Sequence, residues 1–141
     1  MRTQVCIIGG GPSGLLLSQL LDRAGIASVV LERQSRDYVL GRIRAGVLEY
    51  GTVGMLEQAG VAERAHAEGL PHSGTYLAVQ NKGFRIDFDA LIGKKVMVYG
   101  QTEVTRDLYA ARAAAGGTVI HGVEGTQPRD LDTAAPYVTY T

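Results

Sequence analysis

The sequence predicts an α/β fold built on a parallel sheet, with a βαβ unit at its start and an antiparallel hairpin further along. Three observations predict it. A short apolar run, Val5-Cys6-Ile7-Ile8, stops abruptly at glycines. Leucines at helical spacing follow at once, and a second apolar run, Ser28 to Leu31, closes the unit.

Composition narrows the class. The 141 residues carry 14 Lys+Arg against 14 Asp+Glu, so the formal charge is zero and no electrostatic footprint for nucleic acid or anionic lipid results. The longest uncharged stretch, Thr3 to Leu21, is broken by glycines, Pro12 and polar side chains, so it is not the continuous apolar run of ~20 residues needed to span a bilayer. Neither a nucleic-acid nor a membrane partner is therefore expected. At this length a single domain over residues 1–141, with one core, is the expectation. Cys6 is the only cysteine and has no partner for an internal disulfide, and Met1-Arg2-Thr3-Gln4 lacks the apolar region of a signal peptide. A reducing cytoplasm fits these features.

Each element has its own signal. Val5 to Ile8 reads as a buried strand. From Ser13 to Arg23, Leu16, Leu17, Leu20 and Leu21 mark one helix, and Ala24-Gly25 stops it. Ser28 to Leu31 is a second buried strand, joined to the first by a crossover that should be right-handed. Glu32 to Gly46 carries Arg33, Arg36, Arg42 and Arg44 among polar residues and reads as a long loop. A helix is expected from near Val47 to Gln58, ahead of Gly60. Thr75 to Val79 and Phe84 to Phe88 read as the two strands of a hairpin, with Asn81-Lys82-Gly83 as its turn. Val96 to Tyr99 is a short strand. Thr102 to Ala115 is a helix, opened by the capping segment Thr102-Glu103-Val104-Thr105 and closed by Gly116-Gly117, after which Thr118 to Ile120 returns to the sheet. Pro136 to Thr141 alternates like a strand that has no partner, so the chain reads as cut short.

The chemistry concentrates in Gly9-Gly10-Gly11-Pro12-Ser13-Gly14, which satisfies G-x-G-x-x-G and makes the βαβ unit Rossmann-like. The pattern alone is weak, but here a strand ends at Ile8, a helix opens at Ser13, and an acidic residue, Glu32, closes the second strand. Gly9 permits the tight turn, Gly11 admits a pyrophosphate against the backbone, and Gly14 lets helix and strand pack closely. The helix N-terminus then offers free N–H groups and a positive dipole end. Glu32 is placed to hold ribose hydroxyls and would repel a 2′-phosphate, favouring FAD or NAD over NADP in this crevice. These residues do not separate FAD from NAD.

Further residues do. Glu32-Arg33-Gln34, the run Asp37 to Glu49 (DYVLGRIRAGVLE) and the run Tyr99 to Leu108 (YGQTEVTRDL) closely resemble the p-hydroxybenzoate hydroxylase (4-hydroxybenzoate 3-monooxygenase) family. The likeness extends from Met1 to Thr141 and covers the first part of a longer family chain. The later Asp-Gly and Gly-Asp motifs and the domain that grips the aromatic acid are not in it. The resemblance implies a Rossmann-like FAD-binding domain, with FAD contacts from Ser13, Glu32, Gln101 and the segment Arg42, Ile43, Arg44, Ala45, Gly46 and Val47, Arg44 facing the phosphates. It also implies that Arg33, Gln34, Tyr38, Arg42 and Arg44 read NADPH as co-substrate. Guanidinium groups suit that task because paired N–H donors match two phosphate oxygens. His72 aligns with a family histidine that relays the substrate's phenolic proton to solvent, which suits a group that titrates near neutrality.

The activity so implied is conversion of 4-hydroxybenzoate, with NADPH and O2, to 3,4-dihydroxybenzoate, the 141 residues alone being inactive. Family members are often dimers, so a homodimer is the expectation for the full-length protein. Two other readings stay open: the nucleotide-binding domain of an NAD-dependent dehydrogenase, or a non-catalytic truncated nucleotide-binding fragment. His66 and His121 read as structural or exposed, Cys6 as a small buried hydrophobe, and no spacing suggests a metal site.

Overall fold

The computed structural model describes residues 1–141. β1 (Val5–Ile8) passes through the glycine turn into α1 (Pro12–Arg23), and β2 (Ser28–Glu32) returns beside β1 in parallel, Val5 opposite Ser28 and Ile8 opposite Leu31. Next come α2 (Arg36–Gly41), β3 (Val47–Leu48), α3 (Tyr50–Ala59), α4 (Glu63–Glu68) and β4 (Leu70–His72). The hairpin β5 (Gly74–Val79) and β6 (Lys82–Asp87) leads into α5 (Phe88–Ile92) and β7 (Val96–Val98). Then α6 (Gln101–Ala114) brings the chain back to β8 (Thr118–His121), and β9 (Gln127–Arg129) pairs antiparallel with β10 (Tyr137–Thr139).

The parallel sheet has the order β1-β2-β8, and a second, antiparallel sheet has β7 between β3 and β4. Alternation along the parallel strands sends side chains to opposite faces. On one face Val29 and Leu31 join Val123, with Cys6, Ile120 and Val138 packed against them, so β10 helps cover that side. On the other face Val119 packs against the main cluster, where Leu15 of α1, Leu56 and Ala59 of α3, Ala65 of α4, and Val104, Leu108 and Tyr109 of α6 meet. Leu15, Leu56 and Leu108 are fully buried, each contributing roughly 1.5–3 kcal/mol. The expected single core is thus two clusters, one on either side of the sheet.

Several expectations change. Glu32 to Gly46 is not all loop. The Ser35 hydroxyl accepts the Tyr38 N–H and starts α2, whose Val39 and Leu40 pack against the main cluster. Val47 and Leu48 do not open a helix but pair with Val98 and Met97, and the helix begins at Tyr50. The polar stretch after Gly60 contains α4, anchored by buried Ala65. The hairpin turns at Gln80 and Asn81, both at positive φ (49° and 61°), one residue before the expected turn. Phe88 leaves the strand for α5, because the Asp87 carboxylate accepts the Ala90 N–H and caps that helix.

At α6 the expected capping segment does not form. Gly100 takes the cap position without a side-chain bond, and the Thr105 hydroxyl donates instead to the Gln101 carbonyl at 2.7 Å. The terminal strand has a partner in β9. Cys6 is half-buried at the edge of the smaller cluster. No helix is long and apolar enough to cross a membrane.

Candidate functional site: the glycine turn and its two clefts

The turn after β1 is held by backbone geometry. Gly9 adopts φ +117°, a conformation that L side chains rarely reach, and its N–H donates to the Leu31 carbonyl at 2.8 Å. A Cβ on Gly14 would lie 2.0 Å from the Gly9 carbonyl oxygen and 3.2 Å from Ile7, so α1 can approach β1 only with glycine there. Gly11 differs. Its φ of −74° is ordinary and a Cβ would meet nothing within 4 Å, which leaves open space against the backbone.

Pro12, without an N–H, fits the first turn of α1, where no side chain caps the helix. The N–H groups of that first turn, with the dipole behind them, suit an anion.

Glu32 is anchored at the end of β2. Its Oε2 accepts the Gly10 N–H at 2.7 Å and its Oε1 accepts the Gln34 N–H at 2.8 Å. A carboxylate offers about four lone-pair sites, so acceptor capacity remains for a ligand hydroxyl.

Two clefts flank the turn. The first, about 620 Å³, lies at the C-terminal ends of the parallel strands and is lined by Gly9, Glu32, Arg33 and Gln34, with Val123 to Thr126 as its far wall. That is where open α/β sheets bind ligands. The second, about 250 Å³, is largely apolar and lies between Ser13, the Ala45 to Leu48 segment and Gln101, floored by Leu16 and Val104. A nucleotide in the first and a flat ring system toward the second would be joined past Gly11. The residues present therefore fit a dinucleotide.

The structure thus brings Gly9, Glu32, Arg33 and Gln34 to one cleft and Ser13, Ala45, Gly46, Val47 and Gln101 to the other, with Gly11 and Gly14 between. Tyr38, Arg42, Ile43 and Arg44 are exposed and line neither cleft. His72 is exposed as well. It sits not on a loop but in β4, opposite Val96.

Sequence reasoning missed Val123 to Thr126, although Gly122 and Gly125, both at positive φ, mark a turn after a strand. It also missed Tyr109. This buried side chain reaches the turn from α6, its hydroxyl donating to the Gly10 carbonyl at 3.2 Å and lying 3.0 Å from His121 Nε2. His121 therefore has a defined partner. Burial pushes the Tyr109 hydroxyl pKa up, the Glu32 charge adds to this, and Arg36, 5.2 Å above the ring, opposes it.

A separate ionic cluster fixes the helices. Arg64 of α4 bonds Glu68 at 2.9 Å, Glu103 at 2.8 Å and Asp107 at 2.5 Å, and the Tyr99 hydroxyl donates to Asp107 at 2.7 Å. None of these side chains lines either cleft. No group of three or more His, Cys, Asp or Glu side chains is gathered where it could hold a metal ion.

Residues 2–141 match the FAD binding domain family. The p-hydroxybenzoate hydroxylase of Acinetobacter baylyi is 51% identical over 141 residues, which are 99% of this chain and 35% of that protein. The 6-methylpretetramide 4-monooxygenase of Streptomyces rimosus is 37% identical over 87 residues, 61% of this chain and 18% of that one. The chain therefore spans about a third of the first relative's length and less of the second's.

Among solved structures, PqsL of Pseudomonas aeruginosa superposes with a TM-score of 0.84 at 19% identity, covering 99% of this chain and 39% of that one. The p-nitrophenol 4-monooxygenase PnpA of Pseudomonas putida gives 0.77 at 19% identity, covering 98% and 38%. At these identities the structural likeness shows a shared fold.

Proposed function

The chain belongs to the FAD binding domain family, and from that premise we propose that it is the FAD-binding part of a flavoprotein aromatic hydroxylase that converts 4-hydroxybenzoate to 3,4-dihydroxybenzoate with NADPH and O2. The observation that carries this reading is the glycine turn between its two clefts, open at Gly11 and bounded by Glu32. The identity of 51% to a p-hydroxybenzoate hydroxylase over nearly the whole chain supports the choice of substrate.

In this reading Glu32 accepts the ribose hydroxyls, the turn and the first N–H groups of α1 hold the pyrophosphate, and Ser13, Gln101 and the Ala45 to Val47 segment border the remainder of FAD. When bound, reduced FAD would supply the oxygen chemistry of the hydroxylation. The protein binds and orients the cofactor and keeps water from it. Arg42 and Arg44, exposed and free to pair with phosphate, serve with Arg33, Gln34 and Tyr38 to receive NADPH. His72 passes the phenolic proton to solvent. A cytoplasmic location and a homodimer belong to the same reading of the full-length protein, as does the assignment of residues 1–141 to one domain.

The test is visible absorbance of the full-length protein after incubation with FAD and desalting, followed by NADPH oxidation with and without 4-hydroxybenzoate. Retained flavin and substrate-stimulated oxidation are expected. A colourless protein stabilised by NAD would replace this reading with that of a nicotinamide-dependent dehydrogenase.

A further inference from the structure

We propose that Tyr109 is a positioning residue for the dinucleotide turn, locking the Gly10–Gly11 peptide so that the Gly11 N–H faces the ligand, and that His121 orients it. Gly10 is the one glycine of the motif to which the pattern assigns no role. Its N–H is taken by Glu32 at 2.7 Å and its carbonyl by the Tyr109 hydroxyl at 3.2 Å. A peptide unit is planar and trans, so its C=O and the following N–H point in opposite directions. With the Gly10 carbonyl turned inward to a buried tyrosine, the Gly11 N–H is turned outward, to the side where a Cβ on Gly11 would meet nothing. Rotation of that unit would present a carbonyl oxygen to a pyrophosphate in place of a donor. Glycines on both sides of the bond make the rotation sterically easy, so something other than side-chain bulk has to prevent it.

The direction of the chain follows from proton counting. The Tyr109 hydroxyl has one proton, and the Gly10 carbonyl can only accept it. With that bond made, the hydroxyl has only acceptor capacity left for His121 Nε2, 3.0 Å away, so the pair of bonds requires a proton on Nε2. The relay His121 to Tyr109 to Gly10 therefore needs the Nε2–H form of the ring; the Nδ1–H tautomer would instead accept the tyrosine proton and release the Gly10 carbonyl. His121 lies opposite Glu32 in the β2–β8 pairing. The turn is therefore pinned from β2 through Glu32 and from β8 and α6 through His121 and Tyr109, and Arg36 covers the tyrosine ring.

The inference rests on FAD as the ligand, and its test keeps the two apart. In the full-length protein, the FAD dissociation constant would be measured by flavin fluorescence for the unsubstituted protein, Tyr109→Phe, His121→Ala and His121→Gln. Amide exchange of residues 9–15 would be followed in the cofactor-free forms. Tyr109→Phe should weaken FAD binding about tenfold and speed exchange in the turn while β1 and β2 stay protected. His121→Ala should weaken binding by a smaller factor, adding nothing in the double variant, and His121→Gln, which keeps an N–H donor, should recover part of it. An FAD constant for Tyr109→Phe within twofold of the unsubstituted protein, or unchanged exchange in the turn, overturns the proposal alone. Failure of the unsubstituted protein to bind FAD overturns the functional reading; faster exchange in cofactor-free Tyr109→Phe would still uphold the lock.

Discussion

The Gly9 carbonyl oxygen lies where the side chain of residue 14 would begin: a Cβ on Gly14 falls 2.0 Å from it. That approach sets how closely α1 sits on β1, and it gives the two flanking glycines different jobs. Replacing Gly14 by alanine must push the helix off the strand, at a cost of about 2 kcal/mol or more. A lowered denaturation midpoint for Gly14→Ala, in urea with an unchanged slope, is the expected result.

Gly11→Ala should behave in the opposite way. Its φ is ordinary and the new methyl would meet no protein atom, so unfolding of the cofactor-free protein should be unaltered. The same methyl occupies the space through which a pyrophosphate approaches, so FAD affinity should fall by at least about tenfold. Calorimetry of the cofactor-free protein and flavin fluorescence titration separate the two effects.

Glu32→Gln tests the anchor. One carboxylate oxygen becomes an amide NH2, which leaves either the Gly10 or the Gln34 N–H without its acceptor. The expected loss is about 1 kcal/mol of stability together with weaker FAD binding. Denaturant titration of the cofactor-free protein reads the first and flavin titration the second.

Acid should weaken the fold through Glu103 and Asp87. Hydrogen bonds from Arg64 and then Arg106 hold the Glu103 carboxyl below the usual carboxylate range, and the Ala90 N–H does the same first of all for Asp87. A depressed folded value means that the contribution is complete above the unfolded value of about 4 and is lost as pH falls through the lower folded one. Both carboxylates are exposed enough for solvent and salt to reduce the effect. Urea denaturation between neutral pH and about pH 3 should show stability falling, with a shallower fall for Glu103→Gln than for the unsubstituted protein.

Burial raises the Cys6 thiol above its ordinary pKa. Alkylation of the folded protein by iodoacetamide should be slower than that of an unfolded control at neutral pH. Its rate should go on rising with pH beyond the point where the control levels off.

The parts of the site that were legible in the sequence are those whose requirement is local. A strand that ends at Ile8, glycines at positions 9, 11 and 14, and an acid at the end of the next strand each state a backbone or register condition in their own neighbourhood. The hairpin and the helix before β8 were legible for the same reason, their positive-φ turns and helical spacing being short-range features. Where the structure departs from the local pattern, a neighbour distant in sequence decides the outcome. Val47 and Leu48 are strand because Met97 and Val98 lie beside them, and α2 forms over a polar, arginine-rich stretch because Val39 and Leu40 find the main cluster.

By itself the sequence determined the α/β class, the βαβ start and the dinucleotide turn, since glycine's missing Cβ and the apolar periods act over a few residues. Only the tertiary structure decided that His121 and Tyr109 stand behind that turn. Tyr109 is 99 residues from Gly10, and nothing short of packing α6 against α1 brings its hydroxyl to the one carbonyl whose direction sets the Gly11 N–H.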